Sequence, residues 1–526
     1  MTEAFDKYSA HQVLMQPVKL AGYPKAKDKA DALNSLRPYA DLRDIEYIYP
    51  LAFDKNTELA SAAALIVSEV MEKVQGKQWN TVYDCIKYTK IDIECMDKLL
   101  NFNPEISVHL LGVASLNCNG YIREKALKLV SALTDSRMVP YILLRLNDWV
   151  LPVRNLAEDI LKDTFTYENI DAFIDNFYLI DKLQNVSRAD LESTRNGILE
   201  YLRNDNGLDK LRGNLRHPNV KVRLFCYRLL ECKISDNDDI INSALKDKSF
   251  EIRMWLVDAI KSLDENRRDS IIEKLLQDKS AKVKTAVLRN YGDIVRLKFR
   301  EKLVSLLLDD YASVRDDARF ICKKHSLVTD FPEFYRQQML INPLPGTLVG
   351  LGETGSRDDY DFAYRFFTRD DPKIKLAAMI AMWYLSKDDA VKHVMDSLES
   401  DIPKIKKIAK KLLMNSKMSS VLFEMKSKLE GDSAEIKLFA LEIINSYGGW
   451  HALEAILFAI ANGKGMVLDR AKELLGKCLA RLAKIYTKPD KLTRDKIISL
   501  CDDITRKDVM PAQTIKKIRF FIETSK

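Results

Sequence analysis

Glycine and proline are scarce in this sequence, with 18 Gly and 15 Pro among 526 residues. Loop-rich β proteins and disordered chains contain more of both, so the composition disfavours those classes and favours helices. Uncharged apolar runs are also short: AILFAIA at 455–461 is far below the length that spans a bilayer. The first residues include acidic side chains and no apolar signal core. We therefore expect a cytoplasmic protein that does not insert into membranes.

The patterns of metal sites, disulfide frameworks and common enzyme families are missing as well. The eight cysteines include no CxxC pair, and the six histidines are dispersed, with none directly before a Glu. No GxxxxGK[ST], HExxH or GxSxG motif occurs. We therefore predict reduced thiols, histidines that are exposed or already hydrogen-bonded, no cofactor and no enzymatic activity. A small-molecule ligand is not expected.

Charge of either sign is nearly balanced. The formal charge of +7 is the difference between 83 Lys and Arg and 76 Asp and Glu. A nucleic-acid-binding protein concentrates basic residues on one surface, and this small excess does not by itself indicate one.

What the sequence does contain is a repeated pattern: a turn, a Val or Ile, a basic residue and then an apolar helix. Most successive copies are 30 or 31 residues apart. A gap of 60 residues before Lys375 holds a degenerate copy whose helix begins near Pro345, and a gap of 69 before Arg223 holds one near Arg195. Repetition at this period is typical of stacked helical hairpins. The basic residues of the clear copies are Arg123, Arg154, Arg223, Arg253, Lys284, Arg315, Lys375, Lys406 and Lys437.

Within each copy, positions −1, +3, +6 and +7 from the basic residue are apolar. At 100° per residue they span an arc of about 100°, which indicates an amphipathic helix and not a strand. The segment before it is also apolar on one side, so each copy is predicted to be a hairpin of two short helices. Asn290 breaks the pattern at +6 of the Lys284 copy. Three regular sets are Val222, Cys226, Leu229 and Leu230; Val314, Ala318, Ile321 and Cys322; and Ile405, Ala409, Leu412 and Leu413.

An Asp precedes the basic residue by five or six positions in many copies. We expect this Asp to cap the second helix and to pair with the basic residue of its own or an adjacent hairpin. These residues are Asp148, Asp247, Asp278, Asp309, Asp370, Asp401 and Asp432. The ladder of Asp and Arg or Lys resembles the HEAT-repeat family. Its short repeat is similar to that of prokaryotic HEAT proteins and phycobilisome lyases, rather than to the longer importin type.

The sequence therefore predicts an all-α fold, an α-solenoid superhelix of roughly 12–15 HEAT-like hairpins. Residues 1–40 are predicted to form an N-terminal helical cap and residues 41–526 one continuous solenoid, with an irregular unit at 326–360. The resemblance implies that the second helices line a concave face. A binding surface is expected on that face.

One motif resembles a dinucleotide-binding fingerprint. Gly350, Gly352 and Gly355 match GxGxxG, but that fingerprint requires a preceding strand, and here the glycines end a second helix. We predict that Gly352 and Gly355 supply left-handed backbone angles at a helix end, as at Gly448 and Gly449 in a later copy.

The positions opposite the predicted core, +1, +5 and +8, carry mixed charges together with apolar side chains. Mixed signs favour a protein surface over a groove that follows a phosphate backbone. We predict a non-enzymatic scaffold or adaptor that binds a protein partner through one exposed apolar patch. The residues predicted to form it are Phe320, Leu376, Met379, Ile380 and Trp383.

The alternative is a nucleic-acid-binding solenoid. A candidate basic patch lies in the stretch 404–417 and consists of Lys404, Lys407, Lys411 and Lys417. Trp255 and Asp258, on one helix, also permit a comparison with HEAT-like alkylpurine DNA glycosylases, which hold DNA beside Trp and Asp residues. A weaker third reading, a lyase-like chaperone for a chromophore, has no identifiable site in the sequence.

Overall fold

The computed structural model describes residues 7–15, 26–185, 190–431, 433–484 and 488–524. These ranges contain α-helices and short 3₁₀ segments and no strand. The predicted all-α solenoid fold is confirmed. The chain divides into two compact units, unit 1 (Met1–Leu275) and unit 2 (Leu276–Lys526). The cap at 1–40 and the continuity of the solenoid over 41–526 stay predictions.

Unit 1 is a succession of short helices. Its α-helices are α1 (Lys7–Met15), α2 (Ala26–Leu36), α3 (Ile45–Ile48), α4 (Thr57–Glu72), α5 (Trp79–Ile86), α6 (Pro104–Ala114), α7 (Gly120–Ser131), α8 (Val139–Arg145), α9 (Leu151–Asp163), α10 (Ile170–Asp175), α11 (Phe177–Lys182), α12 (Glu192–Leu202), α13 (Asp205–Gly213), α14 (Val220–Leu230), α15 (Asp238–Lys246), α16 (Phe250–Ala259) and α17 (Glu265–Leu275). Its 3₁₀ segments are Arg37–Tyr39, Tyr49–Phe53, Gly76–Gln78, Ile93–Asn101, Ser136–Met138, Tyr167–Asn169, Leu183–Asn185, Asn214–Arg216, Glu231–Asp236 and Ile260–Ser262.

Unit 2 has the same construction with somewhat longer helices. Its α-helices are α18 (Ala281–Lys298), α19 (Arg300–Ser305), α20 (Ala312–Lys324), α21 (Phe331–Ile341), α22 (Pro345–Thr354), α23 (Tyr360–Phe367), α24 (Pro372–Leu385), α25 (Lys387–Asp396), α26 (Pro403–Ser416), α27 (Ser419–Lys428), α28 (Ala434–Tyr447), α29 (Gly449–Asn462), α30 (Met466–Leu482), α31 (Lys491–Lys507) and α32 (Ala512–Thr524). Its 3₁₀ segments are Leu306–Leu308, Arg357–Asp359 and Ser397–Glu399.

The apolar positions of the repeat form the core. Residues at −1, +3, +6 and +7 of the Arg223, Arg315 and Lys406 copies are buried, apart from Leu412, which is half-buried. Each second helix therefore buries one stripe against its neighbours, and no hairpin could cover that stripe alone. In unit 2 the buried side chains form a large apolar core that extends from Ala363 to Ile522.

In four hairpins the Asp before the second helix bonds the turn rather than the helix itself. Asp148 Oδ1 accepts a hydrogen bond of 2.9 Å from the backbone N–H of Val150, which is the N-cap residue of α9. Asp247 makes the same bond, of 2.7 Å, to Ser249, whose hydroxyl then caps α16. In these two hairpins the Asp therefore does not cap the helix directly, contrary to the prediction, but bonds the backbone N–H of the N-cap residue. Asp432 lies outside the described residues.

The glycines of the GxGxxG match serve close packing. Gly350 and Gly352 lie inside α22, where a Cβ on Gly352 would come 2.6 Å from Cα of Ala381 and one on Gly350 would overlap the Tyr335 ring. Gly355, at the end of α22, has a φ of −78°. The predicted left-handed role of Gly352 and Gly355 is wrong, because this helix end needs small residues and not positive φ. The prediction holds at Gly448 and Gly449, whose φ angles are 74° and 67°.

Candidate interaction sites

Several of the repeated basic residues point into the hairpin stack. Arg123 donates from Nε and Nη2 to the two carboxylate oxygens of Asp148 at 2.9 and 2.8 Å, and both side chains are fully buried. Its Nη1 also donates to the backbone carbonyl of Asn117 at 2.9 Å. Arg223 repeats this arrangement with Asp247, at 2.8 Å for both bonds, and with the carbonyl of His217. These cations join one hairpin to the next and are structural.

The ladder uses a different acid where Arg315 meets the hairpin of α21 and α22. Arg315 still donates to the carbonyl of Asp309 at 2.6 Å, but its carboxylate partner is Glu353, near the end of α22. Arg319, one turn along α20, also contacts Glu353, at 2.7 Å. Burial lowers the pKa of Arg319, but the hydrogen bonds and electrostatic interactions with Glu353 and Tyr335 together outweigh it, so the net pKa lies above the ordinary value. These two cations are therefore also held within the protein.

The predicted apolar patch is not one exposed surface. Leu376, Met379 and Trp383 are buried in the core of unit 2, and Ile380 is packed against that core. The reason is that α24 is apolar on nearly all sides and packs against α22, α23, α25 and α26. The prediction that these residues are exposed is wrong for the three buried ones, and whether any residue of the five binds a partner stays a prediction.

Phe320 is the member of the five that does face solvent. Its side chain is 69% exposed on α20, beside a break in the neighbouring second helix. That break is at Tyr291, where α18 leaves helical geometry (φ −129°, ψ 21°), directly after the Asn290 that interrupts the apolar pattern. A cavity of about 380 Å³ opens there. Its wall includes Tyr291, Gly292, Ile294, Phe320, Ile321 and His325.

Charges of both signs surround the Phe320 ring. Arg289 donates to Asp317 at 2.9 Å, and the imidazole of His325 lies 3.5 Å from the carboxylate of Asp293. A cavity beside an exposed aromatic ring, with paired charges around it, has the chemistry of the core and rim of a protein interface.

Three of the four lysines predicted to form the basic patch lie together on an exposed surface. Lys404, Lys407 and Lys411 lie within an arc of about 60° on the solvent side of α26, and none takes part in an ion pair with another described residue. Lys417 ends the same helix with a φ of 56° and reaches the next hairpin instead. Its ammonium contacts the carbonyl of Ser446 and lies 4.9 Å from the centre of the Tyr447 ring.

The arrangement compared with DNA glycosylases is absent. Trp255 is buried, its indole N–H donates to Glu231 at 2.9 Å, and its ring packs on Tyr227. A buried and hydrogen-bonded indole cannot stack on a nucleotide. Asp258 lies nearby on α16 and pairs with Lys261 at 3.0 Å.

A larger cavity in unit 1 was not foreseen. It has a volume of about 840 Å³, and its wall includes Trp79, His109, Arg137 and Tyr141. His109 donates to or accepts from the Tyr141 hydroxyl at 3.0 Å through Nδ1, whereas its Nε2 is buried without a partner. The expectation that every histidine is exposed or fully hydrogen-bonded is therefore wrong for His109. The sequence held no signal for this cavity, because its residues come from separate helices.

No group of three His, Cys, Asp or Glu side chains suited to a metal ion occurs within the described residues. In the same part of the chain, every helix is too short or too polar to traverse a lipid bilayer.

Comparison with known proteins adds little to this description. No protein-family model matches the chain, and no curated protein does either. The chain is similar to a Kap95p structure described with RanGDP (10% identity over 98% of this chain and 66% of that one, TM-score 0.30). It is also similar to importin beta (11%, 95% and 80%, TM-score 0.31) and to Kap121p bound to Ste12p (10%, 99% and 57%, TM-score 0.25).

The chain spans about two thirds of the Kap95p chain, 66% of its length. With identities of 10–11% and TM-scores of 0.25–0.31, these matches decide neither family nor partner. The helices, hairpins and charge ladder of the chain itself define its class, an all-α solenoid of HEAT-like helical hairpins.

Proposed function

We propose that this protein is a non-enzymatic scaffold or adaptor that binds a protein partner on the face formed by its second helices. The observation that carries the proposal is the exposed Phe320 ring beside the cavity at the α18 break. Scattered exposed apolar residues are normal, but an aromatic ring at the edge of a concavity can anchor a partner side chain. Neighbouring Arg289 and Asp317 can exchange their mutual ion pair for contacts with the partner.

The distribution of cations supports a protein partner. The most buried basic residues of the ladder, Arg123 and Arg315, are bonded to carboxylates inside the stack. The +5 positions on the second helices carry both signs and apolar residues, as Arg228, Asp258 and Ile380 illustrate. A phosphate backbone requires a continuous basic track, whereas mixed charges with apolar residues suit a protein interface. The proposal includes a cytoplasmic location, a short-repeat prokaryotic HEAT type and no cofactor.

The test compares two exposed phenylalanines of unit 2. Phe320 lies on a second helix, and Phe423 is 77% exposed on α27, a first helix. Proteins captured by the wild-type chain from lysate of the producing cells are identified by mass spectrometry, and the affinity of a purified candidate is then measured by calorimetry. We expect Phe320→Ala to weaken that affinity at least about tenfold, or ~1.4 kcal/mol, and Phe423→Ala to leave it unchanged.

Equal effects of the two substitutions, or none from either, would contradict this site. Both side chains are largely exposed, so circular dichroism and the unfolding midpoint should be the same for the two variants and the wild type. A loss of binding can then be attributed to the surface and not to misfolding.

Nucleic-acid binding is the second candidate, and the unpaired lysines Lys404, Lys407 and Lys411 favour it. The test is binding of short single-stranded and duplex DNA over a salt series. If the three lysines contact phosphates, their joint replacement by Gln should reduce the slope of log K against log salt by about 2–3 units. A matched triple variant replaces Lys128, Lys162 and Lys477, which are exposed and paired with acids. A shallow slope for the wild type contradicts this candidate.

A further inference from the structure

Three nitrogen atoms without a hydrogen-bond partner belong to the wall of the unit 1 cavity. They are Trp79 Nε1, His109 Nε2 and Arg137 Nη1. Trp79 and His109 are 4% and 5% exposed, so neither nitrogen can be hydrated freely. Buried polar groups in folded proteins nearly always have a partner. Three such groups around one cavity of about 840 Å³ therefore indicate a ligand that supplies acceptors.

Tyr141 determines which nitrogen of His109 carries the proton. Burial raises the pKa of Tyr141 and lowers the pKa of His109 to about 4, with a further lowering by Arg137, so both side chains are neutral at pH 7. The buried Tyr141 hydroxyl has one proton to donate, and His109 Nδ1 is its partner at 3.0 Å. We assign the His109 proton to Nε2, since this tautomer lets the Tyr141 hydroxyl donate to Nδ1. The wall thus holds three N–H donors, of which one is cationic.

Acidic residues limit what these donors can bind. Glu72, Glu168, Asp171 and Asp175 also line the cavity, together with the cations of Lys77 and Lys221. Asp171 is neutralised in part by Lys210 at 2.6 Å, but Glu72 and Glu168 form no ion pair with another described residue. A wall with charges of both signs disfavours a multiply charged phosphate. It favours a ligand that carries a single negative group at the donors and a positive group near Glu72 and Glu168.

We propose that this cavity binds the α-carboxylate of a ligand that also has a cationic side chain. Such a ligand is either a free basic amino acid or the C-terminal residue of a basic peptide. Trp79, His109 and Arg137 donate to the carboxylate oxygens, and Glu72 and Glu168 attract the cation. This site lies in unit 1 and does not depend on the Phe320 site of unit 2. It also departs from the expectation that small molecules are not bound.

Arg137 is the side chain that can open the way to the deeper donors. It is about one-third exposed, and its Nη2 donates at 2.8 Å to Glu105, which is itself largely exposed. Its release costs the pair with Glu105 and a longer one, of 3.5 Å, between its Nε and Asp135, and ion pairs that water reaches contribute little. A ligand carboxylate can replace Glu105 as its partner while reaching Trp79 and His109.

The experiment observes the Trp79 indole proton directly. The full-length protein labelled with ¹⁵N-tryptophan gives one indole signal for each of its five tryptophans, and Trp79→Phe identifies the signal of interest. Trp255, already bonded to Glu231 at 2.9 Å, is an internal reference. The probes are L-lysine, the tripeptide Ala-Ala-Lys, the same peptide as its C-terminal amide, and Ala-Ala-Leu.

We expect Ala-Ala-Lys to shift the Trp79 proton downfield in a saturable way, without moving the Trp255 signal. The amide and Ala-Ala-Leu should each bind at least tenfold more weakly. Equal binding of L-lysine would identify a free amino acid as the ligand, and much weaker binding of L-lysine a peptide end; both support the site. Arg137→Gln should abolish the shift, whereas Arg212→Gln, at a cation that pairs with Asp209, should not. The proposal is overturned if no probe gives a saturable shift, or if the amide binds as tightly as the acid.

Discussion

The ladder step between Arg123 and Asp148 in unit 1 differs from the one between Arg315 and Glu353 in unit 2. In the first, the acid comes from the turn of the next hairpin, and both partners are fully buried. In the second, the next hairpin is the irregular unit, and the acid comes from the last turn of its second helix, where its side chain retains some solvent contact. The cation has the same role in both, because its Nη1 bonds a turn carbonyl of its own hairpin.

The difference shows which half of the ladder is replaceable. The basic residue satisfies a backbone carbonyl and a carboxylate together, so its position is determined by its own turn. The acid needs only to reach the guanidinium, and a Glu from another helix can do so. The acid of the regular step has a further task, since Asp148 also bonds Arg145 and the Val150 N–H. We therefore expect a larger loss of stability when the acid of the regular step is changed.

The largest effect is predicted for Asp148→Asn. The substitution keeps the shape but leaves Arg123 and Arg145 without a buried countercharge. Burial already lowers the pKa of Arg145 to about 10. Breaking a buried pair by removing one partner costs about 3–5 kcal/mol. Urea unfolding monitored by circular dichroism should show a correspondingly lower midpoint.

The matching control for Asp148 is a double-mutant cycle with Arg123→Met. If the buried pair accounts for the loss, the double variant should be more stable than Asp148→Asn alone, because no uncompensated Arg123 charge remains. A loss below about 1 kcal/mol for Asp148→Asn would show that the regular step is no more dependent on its acid than a surface pair.

A smaller loss is predicted for Glu353→Gln in the irregular unit. Gln keeps one oxygen for Arg315 and Arg319, and the partial solvent contact of Glu353 allows water to compensate for the missing charge. We expect a cost of about 2 kcal/mol, typical of a charged hydrogen bond that is not fully buried. The same urea titration measures it. A cost equal to that of Asp148→Asn would remove the distinction between the two steps.

Two glycine substitutions should change stability in opposite directions. Gly352→Ala places a Cβ 2.6 Å from Cα of Ala381, and overpacking of this kind costs about 1–3 kcal/mol. Gly197, inside α12 of unit 1, has open space at its Cβ position, so Gly197→Ala should stabilise the helix by about 0.5–1 kcal/mol. Thermal melts of the two variants should shift to opposite sides of the wild type. A downward shift for both would mean that Gly197 has a role its surroundings do not reveal.

Much of the fold could be predicted because the repeat signal is local. The −1, +3, +6 and +7 positions of one helix determine its buried stripe, and these residues are buried almost without exception. Asn290 was the one irregularity in the pattern, and the helix breaks at the next residue. The polar residue at a core position thus coincides with the interruption of the helix.

The sites were harder to predict because they depend on packing between helices. A helical wheel drawn for α24 alone leaves Leu376 and Trp383 on an open side, but that side is covered by neighbouring helices. The apolar character of all of α24 was the available signal for its burial. The unit 1 cavity brings together Trp79, His109 and Arg137 from three separate elements. The apolar periodicity of one repeat does not predict contacts between residues of separate helices.

The smallest effect is predicted for a substitution in the pair of Arg357 and Asp389. This pair tests whether the ladder is stabilised by its hydrogen-bond geometry or by its burial. Arg357 donates to both carboxylate oxygens at 2.8 and 3.1 Å, nearly the geometry of Arg123 with Asp148. The hydrogen bond to Arg357 lowers the pKa of Asp389, but Arg357 is largely exposed and Asp389 about one-third exposed. Water and salt screen such a pair, so Arg357→Gln should leave the urea midpoint unchanged within error at physiological salt. If Arg357→Gln instead lowers the midpoint as far as Asp148→Asn does, the ladder pairs stabilise the protein through their two parallel hydrogen bonds and not through burial.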